Sequence, residues 1–429
     1  MNYIIKNTSI VTQDNRRKII DFGYIVVEDG IITDVGPRIP KRTNGKTHKL
    51  IDSSRFIVIP GLINAHVHLG ESIYQGIVQH PKSILDYIEK TEQIVRQNPW
   101  IEKNRDVIAD FTALMMLKSG TTTIVGGRTV DSGDRLGIRN VSGYMLMNSN
   151  KLKKYYKNFS AKINNEFKKV RKSNLSSPAI FIHSIRFVDP ATLKKAAEIV
   201  RQHPKMPIMI HVAETLADEQ FVKRHYGKSS VELLENYSLL TNRTLMVHCN
   251  WVDRKDLQII KKRSSSIVNC LSSNLMIDDG TLKLSDALKE GCRVCLGTDG
   301  LVTGGGLELL SEAKSGHWFH NRFCNAEINP EIFFDFVTVN ASQAIGMDDS
   351  IGSIEKGKYA DLVFIDANHP AINRYSIIRG LVVYADPAMI YGVMVGGAMR
   401  IWNRHFLAHR GLREKEILSK FIALKEKLR

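Results

Sequence analysis

The chain has 429 residues, of which 43% are hydrophobic and 24% charged, and its formal net charge is +16. These proportions are those of a globular protein, no apolar run approaches the ~18 residues of a transmembrane helix, and the N-terminus lacks the order of a signal peptide. Five cysteines, an odd number in a long chain, do not suggest a disulfide framework, so we expect a cytoplasmic protein with reduced thiols.

Strand-like segments occupy both ends of the chain. Residues 1–56 contain short apolar runs separated by turn residues, and residues 350–410 have the same texture. We expect these two segments to pair into one small β-sandwich domain. The remaining residues, 411–429, predict an amphipathic C-terminal helix. Its apolar positions have helical spacing: Leu412, Ile417, Phe421, Leu424 and Leu428.

Between these segments, residues 57–349 alternate short apolar runs with helical stretches. Eight runs are strand candidates: VIPGLINAHVHL, TTTIVGG, GYMLMN, AIFIHSI, PIMIHVAE, TLMVHC, SIVNCLS and RVCLGTDG. Near-continuous apolar strands are typical of a parallel sheet that is buried on both faces. The pattern predicts an α/β fold, a (β/α)8 TIM-type barrel that carries the small β domain.

The first barrel strand carries two histidines, His66 and His68, in an otherwise apolar run. Residues two apart on a strand point to the same face, and barrel active sites lie at the C-terminal ends of the strands. Imidazoles are poor core filler because their nitrogens need polar partners. A pair of this kind can instead chelate a divalent metal, although such a pair alone is a weak signal.

Three further polar residues end other predicted strands: His211 the fifth, His248 the sixth and Asp299 the eighth. Each alone is compatible with a core histidine or with an aspartate that caps the next helix. Their common position at strand ends of one barrel instead favours a shared site.

Glu214 lies three residues after His211. On a regular strand it would face away from the site, so the chain must turn after Val212. Its carboxylate could then act as an acid–base group without binding a metal. The alternative is a carboxylate at a helix start, favoured by the helix dipole.

Seven stretches occur in an order that resembles a known family: PGLINAHVHL, SGTTTIV, HVAET, HCNW, SSNL, LGTDG and IGSIEKGKYADLVFID. They span essentially the whole chain. The sequence resembles the amidohydrolase superfamily, in the branch of cytosine, guanine and S-adenosylhomocysteine deaminases and triazine chlorohydrolases.

The resemblance implies a role for each candidate residue. His66, His68, His211 and Asp299 would hold one divalent metal, with Zn²⁺ expected and Fe²⁺ as the alternative. Catalysis would fall to three residues: Glu214 as proton shuttle, His248 as the group that orients the attacking water, and Asp299 as the acceptor of its proton. Substrate would contact His183, Glu214 and His248.

Several features of the sequence, compared with the family pattern, bear on the number of metal ions and on the substrate. Two-metal members use a carboxylated lysine at the end of the fourth strand, and AIFIHSIRFVD contains none, which favours one metal. The seventh strand reads VNCLSSN, and the loop after the first strand, GESIYQGIVQ, lacks the tryptophan of nucleoside-type deaminases. These changes concern the pocket rim, so the substrate stays open.

The predicted activity is metal-dependent hydrolytic deamination of an amino-substituted N-heterocycle, such as a purine, pyrimidine or nucleoside, with release of ammonia. Two alternatives stay open. One is hydrolytic removal of another leaving group, such as chloride or an amide nitrogen. The other is a non-catalytic scaffold, against which the full set of ligand candidates and Glu214 argue.

The stretch 151–173 holds nine Lys or Arg residues and one acid, Glu166. We interpret it as a solvated face; the alternative is a docking surface for an anionic partner or nucleic acid. No nucleic-acid-binding motif surrounds it, so nucleic acid is not expected as a partner, nor is a membrane. The expected partner is a small heterocyclic substrate, and a homodimer stays open.

Overall fold

A computed structural model describes residues 2–38, 47–79, 81, 83–127, 129–147, 159–373 and 375–428. Several sequence predictions fall partly outside this range. They include positions 39–46 of the segment 1–56, position 148 of the third strand candidate and positions 151–158 of the basic stretch.

The strands fall into three groups along the chain. Five precede the barrel: β1 (Tyr3–Val11), β2 (Ile19–Glu28), β3 (Ile31–Gly36), β4 (Lys49–Asp52) and β5 (Phe56–Pro60). The barrel contains β6 (Leu62–His68), β7 (Thr121–Gly127), β8 (Arg139–Leu146), β9 (Ser176–Ser184), β10 (Ile208–Val212), β11 (Thr244–His248), β12 (Ser266–Asn269), β13 (Arg293–Leu296) and β14 (Asp299–Gly300). The last group is β15 (Leu362–Asp366), β16 (Ile390–Val395), β17 (Ala398–Trp402) and β18 (His405–Phe406).

The barrel sheet runs in the order β13-β12-β11-β10-β9-β8-β7-β6-β14, with parallel neighbours throughout. The sheet closes because β14 continues from β13 and pairs with β6, where Asp299 lies opposite Val67. Each of the eight predicted runs overlaps one of these strands, with β13 and β14 together forming the eighth. The predicted barrel is therefore confirmed.

The strands at the two chain ends form a second, mixed sheet in the order β18-β17-β16-β15-β5-β1-β2-β3, with β4 paired to β1. The ends meet where β5 and β15 run antiparallel, with Val58 opposite Phe364. Side chains from both ends, including Ile5, Phe56 and Met394, share one apolar cluster. The small domain built from both ends is confirmed; the division at 1–56 with 350–410, 57–349 and 411–429 stays a prediction.

The helices surround the barrel and close its ends. Their bounds are α1 (Ile84–Gln97), α2 (Trp100–Lys103), α3 (Arg105–Lys118), α4 (Val130–Leu136), α5 (Phe159–Val170), α6 (Pro190–Gln202), α7 (Leu216–Tyr226), α8 (Ser230–Asn236), α9 (Arg254–Lys262), α10 (Leu271–Met276), α11 (Leu284–Lys289), α12 (Leu301–Gly304), α13 (Leu309–Arg322), α14 (Pro330–Phe336), α15 (Val339–Ile345), α16 (Ile377–Val383) and α17 (Glu414–Glu426). Among the described residues, none of these helices has the length and apolarity needed to cross a membrane.

The C-terminal helix α17 packs on the outside of the barrel. The ring of its Phe421 stacks on Phe111 of α3, with ring centroids 3.7 Å apart. Ile417 and Leu424 are also buried, as the predicted helical spacing requires. The helix thereby covers apolar surface of α3 that would otherwise face water.

Candidate active site

Sharp turns at the ends of the barrel strands orient the predicted site residues toward the barrel mouth. β10 ends at Val212, and Ala213 then adopts a φ of +45°, so the turn expected before Glu214 is present. His248 and Asp299 also have positive φ, +71° and +58°. L-residues other than glycine seldom adopt this conformation, and it concentrates at functional sites where packing holds it in place.

The four predicted metal ligands converge on one point. The Nε2 atom of His66 lies 3.2 Å from that of His68 and 3.1 Å from that of His211. Asp299 Oδ1 lies 3.3 Å from the Nε2 atoms of both His66 and His68. Ligand atoms of His66, His68 and His211 all lie within 4.8 Å of one another.

This donor set fits a divalent cation. Tetrahedral ligands at about 2.0–2.1 Å from Zn²⁺ lie about 3.3 Å from one another, which is close to the observed separations. The ligand side chains are also oriented by hydrogen bonds to the atoms that face away from the metal position, as is usual for metal ligands. His211 donates from Nδ1 to the backbone oxygen of His183 at 2.6 Å, and the Ser273 hydroxyl donates to Asp299 Oδ2 at 2.6 Å.

The protonation states also suit a metal. Burial lowers the pKa of His66 to about 4 and the pKa of His211 well below its ordinary value. Burial alone would raise the pKa of Asp299, but the contact with His66 and the nearby imidazoles hold it well below its ordinary value. At neutral pH the imidazoles of His66 and His211 are therefore neutral and the Asp299 carboxylate is ionised, the forms that bind metal.

Glu214 and His248 lie together beside the ligand set, and both are buried. Glu214 Oε1 is 3.5 Å from His248 Nε2. Burial, and then the neighbouring carboxyls of Asp279 and Asp218, raise the pKa of Glu214 well above its ordinary value. Glu214 is consequently a buried carboxyl whose surroundings favour its protonated form, as suits a general acid.

A cavity of 380 Å³ opens beside the ligands and is lined by His68 and His183, among others. His183 lies beside His211, with ring centroids 5.0 Å apart, and its Nδ1 atom is buried with no hydrogen-bond partner among the residues that the structure describes. The cavity wall also contains Glu71, whose Oε1 lies 4.0 Å from His68 Nδ1, and Tyr87, which donates to Glu71 Oε2 at 2.8 Å.

No sequence motif identified above includes Glu71 or Tyr87. The one signal was that Glu71 follows His68 by three residues, in the loop that departs from the family pattern. The cavity adjoins a second one of 460 Å³, and the two share lining residues. The shared residues are Leu69, Gly70, Arg105, Gly127 and Tyr144.

Arg186, near the end of β9, does not offer a free cation to this cavity. Its Nη1 atom pairs with Asp218 Oδ1 at 2.9 Å.

The five cysteines are all free thiols, and only Cys324 is exposed.

Comparison with known proteins now decides the family. The amidohydrolase family matches residues 57–400, most of the chain. The chain belongs to the amidohydrolase family. The membership predicted from the motifs is confirmed, and with it the prediction of a hydrolase of carbon–nitrogen bonds. The family is metal-dependent, in agreement with the His66, His68 and His211 group.

Relatives of this amidohydrolase extend over its full length. A 5-methylthioadenosine/S-adenosylhomocysteine deaminase from Thermodesulfovibrio yellowstonii is 27% identical over 445 residues, which cover 100% of this chain and 99% of the relative. Among solved structures, an adenosine deaminase from Xanthomonas campestris with bound zinc superposes with a TM-score of 0.89 at 19% identity, over 99% and 98% of the two chains. A guanine deaminase from C. acetobutylicum gives a TM-score of 0.80 at 21% identity, over 94% of this chain and 100% of the other.

Proposed function

We propose that this amidohydrolase is a metal-dependent deaminase of an amino-substituted purine, with a nucleoside as the preferred form. The observation that carries the proposal is the convergence of four ligand atoms, with separations of 3.1–3.3 Å, beside the buried carboxyl of Glu214. Full-length relatives named as deaminases of adenine nucleosides support the substrate class.

One divalent ion, Zn²⁺ in our proposal, would be held by His66, His68, His211 and Asp299. When bound, it supplies Lewis-acid activation of water, whose pKa falls toward ~7 in such sites. The single-metal proposal is supported at the end of β9, where the residue facing the site is His183 and the strand contains no lysine.

The side chains of this chain would move the protons. Asp299 would accept a proton from the attacking water, since its Oδ1 atom faces the histidine ligands and its Oδ2 atom is already occupied by Ser273. Glu214 would donate its proton to the ring nitrogen next to the carbon that bears the amino group. The proton held by Asp299 would then pass to the amino group, which leaves as ammonia when the C–N bond breaks. The remaining proton on the added oxygen would return to Glu214 as the carbonyl of the product forms, which restores both carboxyl groups to their starting states.

His248 would orient the attacking water and contact the substrate at its reacting centre. Its Nε2 atom is buried, faces Glu214 and has no hydrogen-bond partner among the described residues. An unpaired buried nitrogen costs free energy unless a ligand satisfies it. We expect water in the free enzyme and the substrate's reacting centre in the complex to do so.

The adjoining cavities support a nucleoside over a free base. A cavity of 380 Å³ beside the ligands is sufficient for a heterocycle, and the adjoining 460 Å³ leaves room for a sugar with a further substituent. Glu71 and Tyr87 would contact polar groups of the substrate at the wall of the first cavity.

A substrate panel tests the proposal. Protein loaded with one equivalent of Zn²⁺ would be incubated with 5-methylthioadenosine, S-adenosylhomocysteine, adenosine, adenine, guanine, cytosine and a chlorotriazine. Released ammonia and chloride would be measured in parallel. Glu214→Gln serves as the control, because it keeps the shape of the side chain and removes the titratable proton.

We expect ammonia from one or more adenine nucleosides, with little from the free bases, and none above background in Glu214→Gln. Ammonia from a free base alone would refute the nucleoside preference. Chloride without ammonia would assign the protein to hydrolytic dehalogenation. Neither product, in protein that retains its metal, would favour a scaffold.

A further inference from the structure

We propose that Asn274 and Asn250 are positioning residues that fix the ring tautomer of His248 and tie it to the turn that carries Glu214. The proposal rests on the proposed function, since it explains how both catalytic groups are held. Neither asparagine touches the ligand atoms, and the sequence analysis gave neither a role.

Three hydrogen bonds connect the two catalytic residues. His248 Nδ1 lies 2.8 Å from Asn274 Oδ1, Asn274 Nδ2 donates to Asn250 Oδ1 at 2.8 Å, and Asn250 Nδ2 donates to the backbone oxygen of Glu214 at 3.0 Å. All four residues are buried, and Asn274 is completely so. The chain of bonds therefore runs through the interior, where an unmade hydrogen bond is costly.

The backbone oxygen of Glu214 fixes which group donates and which accepts in each of these three hydrogen bonds. A carbonyl oxygen can only accept, so Asn250 must present its NH₂ group to it. Asn250 Oδ1 then faces Asn274, which must donate from Nδ2. The oxygen of Asn274 consequently faces His248, whose Nδ1 must carry the hydrogen.

The consequence appears on the other side of the imidazole. A neutral ring with its hydrogen on Nδ1 has a lone pair on Nε2. This is the buried atom that faces Glu214 and that has no hydrogen-bond partner in the part of the chain that the structure describes. His248 is thereby held as a hydrogen-bond acceptor toward the attacking water. In the opposite tautomer, Nε2 would donate and could not accept from that water.

The short helix α10, which carries Asn274, also supports the metal-binding side of the site. The residue before Asn274 is Ser273, which donates to Asp299 Oδ2. Ser272 in turn donates to the buried carboxyl of Glu312 on α13. One turn of helix thus supports a ligand and a catalytic histidine, so a variant must be checked for metal content before a change is assigned to His248.

The tautomer can be measured without a substrate. Zn²⁺-loaded protein labelled with ¹⁵N-histidine would be examined by two-bond ¹H–¹⁵N correlation, with the His248 signals assigned from their loss in His248→Gln. We expect a protonated Nδ1 and an unprotonated Nε2 in the parent. A protonated Nε2 with an unprotonated Nδ1 would overturn the proposal, whatever the substrate proves to be.

Variants test the consequence for catalysis. Asn274→Leu removes both side-chain bonds, whereas Asn274→Asp keeps an acceptor for His248 Nδ1. The control is Asn340→Leu, because the partly buried Asn340 donates one bond, at 2.9 Å, to the backbone oxygen of Val294, away from the catalytic groups. Metal content and the His248 spectrum would be recorded for every variant.

We expect Asn274→Leu to lower kcat at least ~10²-fold, the contribution typical of a positioned acid–base group, with KM within about threefold, metal content retained and mixed tautomers. Asn274→Asp should keep the parent tautomer and kcat within about tenfold. Asn250→Leu should lower kcat in the same direction, and adding it to Asn274→Leu should cost little more, since both act through one chain of bonds.

The proposal is overturned if Asn274→Leu keeps the parent tautomer, or lowers kcat no more than Asn340→Leu does. It is equally overturned if the effects of Asn250→Leu and Asn274→Leu on kcat multiply. Should Asn274→Leu fail to fold, the parent spectrum and Asn274→Asp still decide. Failure of the substrate panel would refute the deaminase proposal and leave the tautomer measurement valid.

Discussion

A buried ion pair joins the barrel to the small sheet and gives a stability prediction. Arg139, at the start of β8, binds Asp361, which precedes β15, with Nε–Oδ2 2.9 Å and Nη2–Oδ1 3.1 Å. The two side chains are only 4% and 3% exposed. Asp361 also accepts from the backbone of Gly396 at 2.6 Å, and the guanidinium lies 4.3 Å from the ring centroid of Tyr359.

Asp361→Asn keeps the shape of the side chain but leaves the Arg139 cation buried without a counter-charge. Breaking such a pair costs about 3–5 kcal/mol, which is about 10²- to 10⁴-fold in the unfolding equilibrium. Arg139→Met should cost a comparable amount because it leaves the carboxylate unpaired. The double variant Arg139→Met/Asp361→Leu should be less destabilised than the sum of the two single changes, because no unpaired charge remains.

Urea unfolding of the Zn²⁺-saturated protein, followed by circular dichroism, measures these free energies. The control is Arg96→Met, which breaks the ion pair with Glu92, whose two side chains are 71% and 45% exposed; such pairs contribute less than ~1 kcal/mol. A loss below ~1 kcal/mol in Asp361→Asn would refute the reasoning. So would a double variant that loses the full sum.

Four further predictions concern the site and the surface. His66→Ala should remove most of the bound metal, from about one ion per chain; full occupancy would refute the ligand assignment. Glu214→Gln should lower kcat at least ~10²-fold with metal retained, whereas Asp299→Asn should lose both. Because the pKa of Glu214 is raised and its protonated form is the active one, kcat/KM should fall as pH rises through that pKa, and Glu214→Gln should not show this limb. Replacing the lysines of 151–173 by glutamine should leave kcat/KM within about threefold, a change below ~1 kcal/mol; a larger loss would favour an anionic partner.

The barrel strands and the ligand set could be predicted from sequence because their signals are local. His66 and His68 share a face through the two-residue period of a strand, and Asp299 ends a run that is apolar on both faces. Glu214 required one inference, a turn after Val212, and the positive φ of Ala213 provides it. In each case the relevant residues lie within a few positions of one another.

Other contacts depend on distant parts of the chain. Arg139 and Asp361 are 222 residues apart, and nothing near either one indicates that the other will satisfy its charge. Glu71 and Tyr87 meet only because the loop after β6 folds back on the barrel mouth. The joining of the two chain ends into one continuous sheet likewise required the pairing of β5 with β15.

The sequence by itself determined which residues can bind a metal and on which face of a strand each one lies, because side-chain chemistry and backbone periodicity are local properties. Only the tertiary structure decided that Asn274, from the helix after β12, and Asn250, from the turn after β11, bond to each other and thereby orient His248. Hydrogen-bond direction depends on which groups meet across the barrel mouth, and packing alone brings those groups together.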